Sequence, residues 1–161
     1  MKYWLDLSSG TSWEEFREEA DVTCFRECSW KRSEKVKVGD VFLCYLIRVK
    51  RWVGLLEVVG GRYRDEKPIR SEELFPVRFP VKSLVLLSPE HGVPMKELEG
   101  KLSFYQEGTF SKSATGHLRN SLREYLPEDG DAIAAALRAA HNSPISRPVD
   151  PKLLARSSKR L

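Results

Sequence analysis

The stretch "VFLCYLIRVKRWVGLLEVVGG", residues 41–61, constrains the fold of this chain more than any other part of it. It holds two runs of valine, leucine, isoleucine and aromatic residues, broken by a basic tip at Lys50-Arg51 and ended by Gly60-Gly61. Each run has the length of a strand, and the short polar break between them suits a hairpin. Neither run alternates apolar with polar residues, so neither face of the hairpin can be left in water. The other elements must therefore cover it from both sides.

Several segments can supply those covers. "KYWLDLS", residues 2–8, reads as a first strand. "TSWEEFREEA" is predicted to be a short helix, with Thr11 or Ser12 as N-cap, Glu14 or Glu15 completing a capping box, and Trp13 and Phe16 on its apolar face. "FPVRFPVKSLVLL", residues 75–87, is a third long strand whose Pro76 and Pro80 point to an edge or a bulge. "VPMKELEG" is a helical turn opened by Pro94. A helix is predicted from about Thr115, gathering Leu118, Leu122, Tyr125 and Leu126, and a last one from Pro127 to His141 with acids at its N-terminus. Residues 142–161, with three prolines and no apolar period, read as a basic flexible tail or linker after one domain spanning 1–141. Hairpin-linked strands with helices at the margins define an α+β domain, a small open β-barrel with flanking helices.

The formal net charge of +4 is unevenly placed. The tail from Asn142 holds five basic residues against one acid, which leaves residues 1–141 formally neutral. Within that body, residues 26–51 carry eight basic and three acidic side chains, whereas residues 14–21 are mostly acidic. A surface polarised in this way suits an anionic ligand on one side. Three cysteines, an odd number, and the lack of a charged-then-apolar leader in residues 1–7 predict a reducing, cytoplasmic setting. The longest apolar run, residues 41–47, is far shorter than a membrane helix, so no membrane partner is expected.

The common catalytic signatures are missing: there is no G-x-S-x-G elbow, no phosphate-binding glycine loop and no H-E-x-x-H. Cys24 and Cys28 form one ligand pair without a second, Cys44 falls in a strand, and His91, His117 and His141 are scattered, so neither a metal nor another cofactor is implied. Two residues stand out against their surroundings. Trp30, in "FRECSWKRSEKVKVGD", sits in a polar, basic run without hydrophobic period; it is either covered by its own loop or placed to touch a ligand. Asp6 interrupts an apolar strand, where it either pairs with an arginine or accepts a hydrogen bond from a ligand edge.

Taken in order across residues 2–140, "YWLDLSSGTSWEEFREEADV", "VKVGDVFLCYL", "WVGLLEVV", "FPVRFPVKSLVLL" and "GHLRNSLREYLPEDGDAIAAAL" resemble the EVE domain, a PUA-like family related to YTH domains. The resemblance implies a β-barrel that holds a flipped-out, modified base in a pocket lined by aromatic residues, in DNA or, less often, RNA. In prokaryotes such domains also direct restriction nucleases to modified DNA. It implies a non-catalytic reader whose partners are modified DNA and a nuclease or other effector, fused or associated. On this reading Ser8 and Ser9, with Asp6, meet the base edge. Thr23 stands where relatives often carry a pocket tryptophan, so Phe25 or Trp30 supplies that wall and Trp52 a second one. Lys31, Arg32, Lys50 and Arg51 contact phosphates, joined by Lys112 in the "FSKSATG" loop. Two other readings stay open: a small PUA-like enzyme of ribonuclease or amidohydrolase type, and a protein-interaction module that presents its aromatics to a partner chain.

Overall fold

In the computed structural model, which describes residues 1–106 and 116–155, the apolar hairpin lies at the centre of the sheet. The elements run β1 (Tyr3–Ser8), α1 (Gly10–Glu19), β2 (Val22–Phe25), α2 (Trp30–Ser33), β3 (Val41–Leu46), β4 (Arg51–Val58), β5 (Tyr63–Arg64), β6 (Val77–Leu86), β7 (Val93–Pro94), β8 (Glu124–Tyr125), α3 (Pro127–Asn142) and α4 (Pro151–Leu154). The described strands form one mixed sheet of order β2-β6-β4-β3-β1-β8, with β5 beside β6 and β7 beside β4. β1 and β3 run parallel, and the other pairings are antiparallel. Register shifts at Cys44/Tyr45 and Leu55/Leu56 let the central strands curl into the half-barrel.

Successive side chains of a strand point to opposite faces, and the sheet separates two cores accordingly. Tyr3, Leu5, Leu43, Tyr45 and Trp52 pack with Ile133 and Leu137 of α3 on one face. Trp4, Phe42, Val58 and Phe79 pack with Trp13 and Phe16 of α1 on the other. The two-sided covering that residues 41–61 demanded is met by these helices.

The motif residues behind the family resemblance turn out to hold this architecture together. Asp40, of the V-G-D turn, accepts from Lys2 N (3.0 Å), Lys37 N (2.9 Å) and Trp4 Nε1 (2.9 Å), fastening the turn before β3 to the start of β1. Gly54, of "WVGLLEVV", leaves room for Trp13: a β-carbon there would lie 2.5 Å from the indole. Asp129, of E-D-G, accepts from Ser103 N at 2.7 Å, and Gly130 seats the Tyr3 ring.

Four expectations change. Helix α1 is capped by Ser9, whose Oγ accepts from Ser12 N, rather than by Thr11 or Ser12. β6 is an internal strand and not an edge, although it does carry an irregularity, at Leu84 where its register against β4 slips; Pro80, lacking an N–H, sits where β6 exchanges its β4 pairing for β2 and β5. The helix expected up to Leu126 is absent from His117 onward, because Leu122 takes a left-handed conformation (φ 61°) and residues 122–125 pair along β1 instead. Residues 143–155 are no free tail. Arg51 donates to the carbonyls of Pro89 (3.0 Å), Arg147 (2.6 Å) and Pro148 (2.9 Å), Arg147 pairs with Glu97 at 2.7 Å, and Leu154 packs against Gly10 and the α1-side core. Proline-rich backbone cannot form its own ladder, but its carbonyls accept readily from a guanidinium fork. Among the described residues no helix is long and apolar enough to cross a membrane.

Candidate functional site

A cavity of about 460 Å³ opens where the parallel strands β1 and β3 end. That volume falls within the range, roughly 300–1,000 Å³, of pockets that enclose small ligands. Leu7 and Ser8 close β1, Ser9 and Ser12 begin α1, and Ile47 follows β3; these set one side. Cys24 and Phe25 of β2, with Cys28, Ser29 and Arg32 beyond it, set another. The 65–76 connection contributes Arg70 and Phe75, and the turn before β8 contributes Arg119, Asn120 and Ser121.

The lining is apolar at Phe25, Phe75, Leu7 and Ile47, hydroxyl-rich at its serines, and positively charged at Arg26, Arg32, Arg70 and Arg119. Among the described residues that line it, none is acidic. Three of the arginines are positioned by the protein itself. Arg26 Nε lies 2.7 Å from Glu73 Oε1, Arg32 Nη1 donates to Ser121 O at 3.2 Å, and Arg70 donates to Ile69 O (2.9 Å) and Val22 O (3.3 Å). Arg119 is exposed. The serines are tied to the 65–76 connection: Ser9 Oγ and Ser12 Oγ both donate to Glu72 Oε1, the latter at 2.9 Å.

Asp6 and Thr23 lie on the inner side of this wall rather than in the lining. Thr23 Oγ1 donates to Asp6 Oδ2 at 2.6 Å, and both side chains are buried. Burial pushes the Asp6 carboxyl up to about 7, against the opposing pull of the Thr23 hydrogen bond and the Arg70 charge. Burial likewise pushes the Cys24 thiol up to about 12, so that cavity wall presents a neutral sulfur. Among the described residues no group of His, Cys, Asp or Glu could hold a metal ion.

Of the sequence candidates, the structure brings Ser8, Ser9, Phe25 and Arg32 to the cavity, with Lys31 exposed beside Arg32 on α2. Trp30 does not line it: its ring lies under two guanidiniums, Arg62 at 3.7 Å and Arg64 at 3.9 Å from the ring centroid. The ring face that looked free for a ligand is thus covered inside the molecule by cation–π contacts, from arginines outside its own basic run. Trp52 is fully buried in the opposite core, against Tyr45 and Met95, and cannot be a wall. Arg51 is engaged by the 143–155 strap, and Lys50 is an exposed hairpin-tip residue with φ 56°. Lys112 lies outside the described residues. Sequence reasoning missed Ser12, Arg26, Arg70, Phe75, Arg119 and Ser121. Arg70 comes from a polar stretch in which nothing local distinguishes it, and Phe75 stands at the head of the expected third strand, which begins only at Val77 and so leaves Phe75 in the connection.

A curled mixed half-barrel with flanking helices is the architecture of YTH-like, PUA-type domains, and this chain has that fold. The YTH domain of Pho92, solved in complex with m6A, superposes with a TM-score of 0.63 at 15% identity, over 90% of this chain and 88% of that one. The YTH domain of Zygosaccharomyces rouxii MRB1, in complex with N6-methyladenosine RNA, gives 0.58 at 15% identity, over 90% and 89%. Rpa0253 from Rhodopseudomonas palustris gives 0.56 at 16% identity, over 88% and 94%. No family model matches the sequence, and no curated protein matches it.

Proposed function

We propose that this chain is a non-catalytic nucleic-acid reader of the EVE type, which takes a flipped, modified base into the cavity at the ends of β1 and β3. The observation that carries this reading is the cavity itself: apolar and aromatic within, hydroxyl-bearing at its serines, and edged by four arginines. A flipped base needs flat surfaces to stack on, a few polar groups at its edge, and cations for the flanking phosphates. Phe75 offers the flat surface, with Phe25 buried behind it against Phe42 and Phe79, Ser8 the edge contact, and Arg32, Arg119 and Lys31 the phosphate contacts. Guanidinium planes, such as that of Arg70, also stack on unpaired bases. The YTH domains with the same fold that were solved with methylated adenine or its RNA support a modified base as ligand. The family resemblance adds modified DNA and a role as the specificity module of a restriction system, with a fused or associated nuclease as partner.

The test is a binding titration against matched DNA and RNA strands, plain or carrying methylated adenine or methylated or hydroxymethylated cytosine. One modified strand is expected to bind at least about tenfold more tightly than its plain twin, a difference of about 1.4 kcal/mol. Phe75→Ala is expected to weaken that strand about fivefold or more, in line with the loss of one stacking surface. Equal affinities across the whole panel would overturn the modified-base reading.

A further inference from the structure

Arg26 meets Glu73 through two points, Nε to Oε1 at 2.7 Å and Nη2 to Oε2 at 3.3 Å. This side-on fork is the geometry in which a guanidinium also receives two oxygens of a phosphate. Arg26 lines the cavity, and its side chain is 40% exposed, whereas that of Glu73 is only 16% exposed. A carboxylate is therefore folded inward onto a cation that a ligand can reach from solvent. It is held there by the same 65–76 connection that places Arg70 and Phe75 in the cavity wall and Glu72 on Ser9 and Ser12.

We propose that Arg26 is a phosphodiester-binding site at the cavity mouth, and that Glu73 occupies it in the free protein as an internal stand-in for the phosphate of the strand whose base enters the cavity. The proposal rests on the reader function above. Arrival of a strand exchanges one anion for another on Arg26. Glu73 is two residues from Phe75, so the exchange acts on the segment that supplies a stacking surface. The alternative is a static ion pair that only fastens the connection.

A double-mutant cycle separates the two, read as affinity for a labelled single strand bearing methylated adenine and for its unmodified twin, in both RNA and DNA form. Glu73→Gln is expected to tighten binding about two- to fivefold, the release expected of a half-exposed ion pair. Arg26→Gln is expected to weaken binding, and in the double variant the gain from Glu73→Gln should vanish, because the competed group is gone. A gain that persists without Arg26 would mean that removing an acid merely raises the local potential, and would overturn the proposal. No gain, or a loss, with Glu73→Gln would do so equally. Arg26→Lys keeps the charge but not the fork and guards against a misfolded Gln variant; binding equal to that of the unaltered protein would overturn the proposal. If the unaltered protein does not distinguish modified from plain strands, the reader function falls, while the cycle still decides the phosphate site on whichever strand binds. No binding to any strand overturns both.

Discussion

A carboxyl that is 2% exposed and bonded to a hydroxyl cannot hold its charge as it does in water, and Asp6 accordingly keeps its proton up to about pH 7. In the unfolded chain the same group releases it near pH 4. Between those values the folded state binds more proton than the unfolded state, so this contribution to stability is fully present near pH 4 and is lost as pH rises to about 7. The loss is at most about 4 kcal/mol. Asp6→Asn removes the titrating group; its urea midpoint should match that of the unaltered protein near pH 4 and exceed it at pH 8. Parallel pH profiles for the two proteins would show that Asp6 does not titrate in this window. At the same scale, Trp30 shows why residue type alone misleads. A tryptophan in a basic run was legible as unusual, but whether its face meets a ligand or Arg62 and Arg64 depends on β5, more than thirty residues away.

Elements were legible where their signal is local. The β3–β4 hairpin, the first strand, α1 with Trp13 and Phe16 inward, and α3 opening at Pro127 follow from apolar period, capping and proline placement. The failures have contrary causes. The stretch 117–126 has helical spacing, but the open edge of β1 draws Glu124-Tyr125 into the sheet, and the long-range pairing outweighs local preference. The contact between α1 and β4 depends on one glycine. Gly54→Ala forces a methyl to within 2.5 Å of the Trp13 indole, whose Nε1 donates to Leu87 O at 2.8 Å, so the indole cannot simply turn away. A loss of about 1–3 kcal/mol is expected, seen as a lowered Tm, and an unchanged Tm would show that α1 can shift freely. The strap of residues 143–155 depends on a side chain as well. Arg51→Ala should destabilise the fold by about 1–3 kcal/mol and speed amide exchange at Arg147 and Leu154, while protection in β3 and β4 remains. Unchanged exchange at those two amides would mean that the strap is held without Arg51, by Leu154 and the contacts of Arg147 with Glu97 and Glu90.

For the molecule as a whole, the sequence by itself determined the α+β class, the two-sided covering of the central hairpin and the order of its main elements. These follow from how apolar side chains repeat along a strand or helix, and from turn residues acting on their immediate neighbours. It also carried the residues of the family resemblance, and their positions explain why that resemblance speaks for the fold. Asp40, Gly54, Asp129 and Gly130 fasten turns and admit large rings away from the cavity, while Ser8, Ser9, Arg119 and Ser121 of the same stretches line it. Only the tertiary structure decided the site. The cavity collects side chains from five separate stretches, from Leu7 to Ser121, where strands end and connections begin. Which residues converge there is fixed by strand pairing, by Glu72 and Glu73 reaching back to Ser9, Ser12 and Arg26, and by the turn at Leu122. Charge behaves in the same way. The sequence shows how many arginines there are, but only long-range packing selects those that spend themselves on carbonyls and rings, such as Arg51 and Arg62, and those that edge the cavity, such as Arg119.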